Sequence, residues 1–337
     1  MQTIDTNLYS RQIKTYGIEI MKKLQNLKIL IIGLRGLGIE VTKNLILTGP
    51  KEVKIYDSNK CTINDLGSNF YLSEKDIGKR RDISCLKKLS ELNPYVIVNI
   101  CEDNFLEHIK DFNAIIITEI MNKETLFKIN DECHNNNIAF IYTTSFGISG
   151  FIFDDFGKEH IINSPLSRNK KSYFIKSISK DGMIEIDNEL ERNNFSLEKG
   201  SYIIFKEVQG INQLNNLVPR KIKYVSNNLF SIDENLNYEN YINGGIVEEY
   251  FLPKKIEFKR LKEIYDIPYI DNEPEIFDYC NDEGRNELLH CAILAIHQFY
   301  DEFNYLPKLK EDYENVLEKA KIFIIMQKKI IKNGLKK

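Results

Sequence analysis

A glycine-rich hexapeptide and an acid downstream of it are the residues of this chain best suited to chemistry. Gly33-Leu34-Arg35-Gly36-Leu37-Gly38 follows one apolar run, and Asp57 closes the next. Glycines at such spacing let a backbone turn sharply, approach a pyrophosphate and pack a helix close to a strand, while the acid takes a ribose hydroxyl. One position breaks the fingerprint. Read as G-x-G-x-x-G, the glycines fall at 33, 35 and 38, and Arg35 stands where the second should be. An arginine there either occludes the pocket or replaces a lost backbone contact with charge. The pattern therefore supports a nucleotide-binding fold that no longer holds a nucleotide.

Other reactive side chains form no comparable pattern. Six cysteines (Cys61, Cys85, Cys101, Cys133, Cys280 and Cys291) include no C-x-x-C pair, which argues against zinc and against a disulfide framework. His290 and His297 share one face of a helix with no acid or cysteine ligand set around them, so core or boundary histidines are expected and no metal. Arg11, in a leading helix, reads by itself as a solvated charge.

The elements that must position the hexapeptide are legible on both sides. Lys28 to Ile32 is an apolar run bounded by glycine, the pattern of a buried parallel strand. Ile39 to Leu47 has helical spacing and stops at Gly49-Pro50, and Val53 to Tyr56 is a second strand. Further strands are expected at 95–100, 114–118 and 139–143, alternating with helices at 82–92, 105–110 and 123–135. That alternation predicts a doubly wound, Rossmann-like α/β fold with an open, mostly parallel sheet. Past residue 150 the pattern changes. Gly150 to Phe153 alternates into a turn at Asp154 to Gly157, and 164–172 reads as a polar linker. Between Ile184 and Val247, short apolar runs (MIEI, SYIIF, RKIKYV, LFSI) predict a small inserted β domain of the barrel or sandwich kind. Helices follow at 258–264, 274–279, 287–303 and 309–332, a helical bundle.

Composition bounds the rest. The 337 residues carry 46 Lys+Arg against 49 Asp+Glu, a net charge of −3, so no field recommends nucleic acid as a partner. No charged-then-apolar leader and no run long enough to span a bilayer is present. A soluble intracellular protein with no membrane partner is expected.

Several stretches carry a resemblance. They are YSRQIKTYG, KILIIGLRGLGIEVTKNLILTG, DLGSNFYLSEKDIGKRR and CLKKLSELNPYV, then YIIFKEVQGINQLN, YINGGIVEEYFLPKKIEFKRL and ELLHCAILAIHQFYDEF. In this order they resemble the N-terminal part of the ubiquitin-activating enzymes. The first half alone is also similar to the small subunit of SUMO-type activating heterodimers; the EVQG and NGGIVEEYFLPKKIEF segments favour the ubiquitin enzyme. A nucleotide-binding oxidoreductase is the alternative from another class, and Arg35 disfavours it.

The resemblance implies a division of labour. In that family one chain holds two related adenylation folds. The N-terminal copy is inactive and supports the second, which binds ATP and Mg²⁺ and adenylates the ubiquitin C-terminus; a cysteine elsewhere then takes ubiquitin as a thioester. Residues 1–170 would be the inactive adenylation domain, 171–252 the first catalytic-cysteine half-domain and 253–337 a four-helix bundle. The partners implied are the C-terminal active adenylation half, ubiquitin and, through the full-length protein, ubiquitin-conjugating enzymes, in cytoplasm and nucleus. The family's inactive domain resumes after the bundle, and nothing here matches that part, so a fragment is expected.

Carried over residue by residue, the resemblance implies inactivity of this copy. The asparagine and arginine of active copies fall at Gly67 and Ser68, the acid of the magnesium-bound phosphates falls near Met121, and the lysine corresponds most nearly to Arg81. With Arg35, these positions oppose catalysis, and no cofactor is expected in the degenerate site of Gly33, Arg35, Gly36, Gly38 and Asp57. Arg11 is the exception: the arginine of the matching R-Q motif reaches across to the partner fold's ATP. None of the cysteines matches the family's thioester cysteine.

Overall fold

The computed structural model describes residues 5, 9–147, 149–162, 170–187, 197–226, 228–234, 238–266, 285–308 and 310–334. The helix expected at 274–279, Cys280 and most of the expected linker at 164–172 lie outside these residues.

Two short helices, α1 (Ser10–Tyr16) and α2 (Ile18–Leu24), lead into β1 (Lys28–Ile32), α3 (Gly36–Thr48), β2 (Glu52–Tyr56), α4 (Arg81–Ser90), β3 (Ile97–Ile100), β4 (Ala114–Ile117), α5 (Lys123–Asn135), β5 (Ala139–Phe146) and β6 (Ser149–Asp155). The strands form one sheet in the order β3-β2-β1-β4-β5-β6. β1 to β5 run parallel, and β6 returns antiparallel along β5. The apolar runs are continuous because both faces are covered. Ile29 and Ile31 join Val53 and Ile55 in one core cluster, while Leu30 and Ile32 join Ile115, Ile117, Phe140 and Tyr142 in the other. β6 runs through Asp154 and Asp155, past the start expected for its turn. Asp155 is held there by His134 at 3.0 Å, by Asn130 at 2.8 Å and by the Gly157 amide at 2.8 Å.

Tyr9 anchors the start of the N-terminal helices. Gly49 ends α3 at φ +87, and a β-carbon there would meet the Tyr9 hydroxyl at 2.6 Å. Tyr9 is buried against this glycine, and the Asn93 amide donates to its hydroxyl at 3.3 Å. The contact fixes the start of α1 two residues before Arg11.

Residues Ile161–Ile256 form a separate compact unit. Its strands β8 (Ser172–Ile178), β9 (Ile184–Ile186), β10 (Tyr202–Lys206), β11 (Arg220–Ser226), β12 (Leu229–Ile232) and β13 (Ile246–Tyr250) close into a barrel in the order β10-β11-β12-β9-β8-β13. Of the two expected architectures, the barrel is therefore the one observed. Tyr173, Ile175, Ile186, Ile203, Phe205, Ile222, Phe230 and Val247 fill it. β7 (His160–Ile162) and β14 (Lys254–Ile256) pair as a two-stranded sheet.

The other unit comprises 1–160 together with 257–337, so the helical segment groups with the α/β layer. The sequence divides the chain at 170 and 252 instead. Helices α6 (Leu261–Ile264), α7 (Arg285–Phe303) and α8 (Tyr313–Gly334) are described. Leu261, Tyr265 and Leu294 join the core cluster of β4 and β5, which explains the grouping. Among the described residues no helix is long and apolar enough to cross a membrane.

Candidate functional site

The glycine turn keeps its architectural duties. Gly33 sits at φ +95, and a β-carbon there would fall 2.6 Å from Glu119 Cγ. At Gly38 an added β-carbon would lie 2.1 Å from the Gly33 carbonyl oxygen, so α3 can close on β1 only through glycine. Gly36 faces Ser68, whose Cβ would be 2.9 Å from an added β-carbon. Arg35, at φ −72 and ψ −171, caps α3 in an extended conformation open to any residue, so the backbone there makes no demand for glycine. The turn survives; the space above it is taken by side chains.

Arg81 occupies the centre of that space. It is 1% exposed, and its Nη1 donates to the Asp57 carboxylate and to Glu119 at 2.9 Å, while Nε donates to Asp65 at 3.3 Å. Asp57 is itself held by the Leu34 amide at 2.9 Å and the Asn59 amide at 3.0 Å. Asp65 accepts from the Thr62 amide at 2.7 Å and hydroxyl at 2.9 Å. Arg35 stands outside this group. Its half-exposed side chain places Nε 3.9 Å from Asp65 and 3.8 Å from Glu119, a loose ion pair at the mouth.

Three carboxylates thus face two guanidiniums in a partly dry crevice, and their proton affinities record the imbalance. Burial, and then repulsion from Asp57, pushes the Glu119 carboxyl up to about 7 against the pull of Arg81 and Arg35. Burial also opposes ionisation of Asp65, but the Thr62 donors, Arg81 and Arg35 outweigh it and hold that carboxyl below its ordinary value. For Arg81, burial works against the charge, and Glu119, Asp57 and Asp65 together overcome it. The Leu34 amide of the glycine turn serves Asp57.

The expected site residues fall into three groups. Gly33, Gly36, Gly38, Arg35 and Asp57 come together with Arg81. Asp57 does more than close a strand, since it joins the glycine turn to Arg81. Gly67 ends a 3₁₀ turn in open space, Ser68 covers Gly36, and Met121 packs half-buried against the core. Arg11 is exposed on α1. Sequence reasoning missed Glu119 and Asp65. An acid directly after the AIIIT run was a usable signal, because parallel sheets bind ligands at the carboxyl ends of their strands. Thr62 and Asp65 also carry capping-box spacing, and the box forms. His297 has a structural place: Nε2 meets the Tyr142 hydroxyl at 2.8 Å and Nδ1 the Tyr265 hydroxyl at 2.5 Å. His290 meets the Tyr265 carbonyl at 3.0 Å, and Cys291 is buried.

Three family models match the chain in succession. The ThiF family covers residues 9–184, the FCCH domain of ubiquitin-activating enzyme E1 covers 179–250, and the E1 four-helix bundle covers 252–323. The ubiquitin-like modifier-activating enzyme 1 of Dictyostelium discoideum is 36% identical over 327 residues, which is 94% of this chain and 31% of that protein. The Homo sapiens protein of the same name is 35% identical over 314 residues, 92% of this chain and 29% of its own length. Ubiquitin-activating enzyme E1 1 of Candida albicans is 36% identical over 299 residues, 88% of this chain and 28% of that one. The resemblance to the N-terminal part of these enzymes thus holds along the chain, which spans about 30% of its relatives' length. Among solved structures, Escherichia coli MccB aligns with 20% identity and a TM-score of 0.40 over 45% of this chain and 46% of that one, too slight a likeness to argue from.

Proposed function

The chain belongs to the ThiF family, and from that premise we propose that it is the non-catalytic, N-terminal portion of a ubiquitin-activating enzyme. In this reading it supports adenylation and thioester formation of ubiquitin by a separate C-terminal half, which holds ATP and Mg²⁺ and from which ubiquitin passes to ubiquitin-conjugating enzymes. The FCCH and four-helix-bundle matches that follow the ThiF match support that placement over a SUMO-type small subunit.

The observation that best supports inactivity is the buried Arg81, bound by Asp57, Asp65 and Glu119 over the glycine turn. The residues present do not fit a nucleotide. Beside the ribose acid Asp57, a phosphate chain would meet the carboxylates of Asp65 and Glu119, would find the Leu34 amide engaged, and would have to displace a guanidinium from the interior. Transition-state charge in adenylation needs fixed donors aimed at the phosphates, and Gly67 and Ser68 supply no cation there. Met121 offers no hard oxygen to magnesium.

Arg11 has the opposite role. It projects from an exposed helix whose start is clamped by Tyr9, which suits a guanidinium that reaches out of this fold to phosphates held by the active half. Ubiquitin-dependent ATP–pyrophosphate exchange with the C-terminal half added tests this. Arg11→Ala is expected to slow exchange by about 10²-fold or more with the complex still assembled. An unchanged rate would remove the arginine from the mechanism.

A further inference from the structure

The crevice over the glycine turn has changed the sign of the ligand it suits. We propose that Asp57, Asp65 and Glu119 form a guanidinium-binding site whose resident ligand is the side chain of Arg81, supplied by α4 of the same chain. This rests on the reading that no nucleotide occupies this copy.

Acids alone would not define a site. What identifies the ligand is the guanidinium they already hold, 1% exposed and bonded to all three. The geometry suits a planar fork over a point charge. Nη1 is shared between Asp57 and Glu119 on one side, and Nε addresses Asp65 on the other. The acids are also held without Arg81's help. Asp57 is fixed by two backbone amides, Asp65 by the amide and hydroxyl of Thr62, and Glu119 by its wedge against Gly33. Removal of the Arg81 side chain therefore leaves a formed receptor. Arg35 does not share the site with Arg81: its Nε lies 3.8 Å and 3.9 Å from the outer acids, beyond hydrogen-bond range. Glu119 and Arg35 both act electrostatically on the half-buried Tyr300 of α7.

Chemical rescue of the full 337-residue chain tests the site. Arg81→Ala is expected to lower the melting temperature by about 5 °C or more. Millimolar ethylguanidinium should then raise it saturably and recover about half of the loss, as a ligand that binds only the folded state does. Equimolar ethylammonium and sodium chloride should not, and the wild-type chain should show only a shallow decline. No saturable rise, or an equal rise with ethylammonium, would overturn the proposal. If Arg81→Ala does not fold, Arg81→Ala/Glu119→Gln removes one uncompensated charge, and a weaker but saturable guanidinium response is the required result. Mg·ATP is added in parallel. Failed rescue with no ATP response removes this site alone, whereas ATP stabilisation of the wild-type chain removes the inactive-copy reading on which it rests.

Discussion

At Glu119, burial and a neighbouring acid compete with two guanidiniums, and the outcome sets how this chain responds to pH. Its carboxyl is raised to about 7 from an ordinary value of 4.5. A carboxyl with a raised folded-state value binds its proton more tightly folded than unfolded, so its stabilising contribution is complete below 4.5 and is lost as pH rises through 7. Glu119→Gln is expected to flatten that decline and to be the more stable protein above pH 7; urea unfolding at several pH values measures it. An unchanged slope would show that Glu119 is ionised throughout. At this scale the sequence was half legible. Arg35, Asp57 and Arg81 stood out by position, but their partnership did not, because Asp65 and Glu119 enter the crevice from a 3₁₀ turn and a strand end separated by half a domain. Arg81 in particular read as the nearest counterpart of the active copies' lysine, whereas it is buried among three carboxylates.

Among the elements, α7 is tied to the sheet through a polar seam inside the core. His297 lies between the hydroxyls of Tyr142 on β5 and Tyr265 after α6. Burial, with smaller contributions from His290 and Lys123, pushes its imidazole down to about 4 from 6.5. A histidine buried neutral must take a proton to unfold in acid, so its effect is absent above 6.5 and stability falls as pH drops toward 4, opposite in sign to Glu119. His297→Gln keeps hydrogen-bonding groups without titrating. It is expected to lose the acid-side decline in melting temperature while the Glu119 slope remains; a decline identical to wild type would place the titration elsewhere. The apolar runs of β1 and β4 were legible because strands covered on both faces are apolar almost throughout, and β2 and β5 because their buried positions alternate. β8 and β13 were not marked out as strands. Polarity does not follow burial in them: Phe174 of β8 is exposed and Glu249 of β13 is buried, so their residue types do not mark an inner face until the barrel closes.

For the whole molecule, the central claim is that one member of an adenylation pair has replaced its nucleotide with its own arginine and lends a different arginine outward. The fold could be read from the sequence because periodicity reports which faces are buried. The proposed inactivity is legible in the sequence only as an accumulation of unsuitable residues, since the contacts that fill the crevice are distant in sequence. Restoring Gly at Arg35 would leave all three carboxylates and Arg81 in place, so the claim does not hang on that position. Calorimetric titration of the isolated 337-residue chain with Mg·ATP is the most direct measurement. The account predicts no saturable heat of binding at millimolar nucleotide. Saturable one-to-one binding, abolished by Gly33→Val or by Asp57→Ala, would mean that the glycine turn still cradles phosphate and that Arg81 moves aside to admit it.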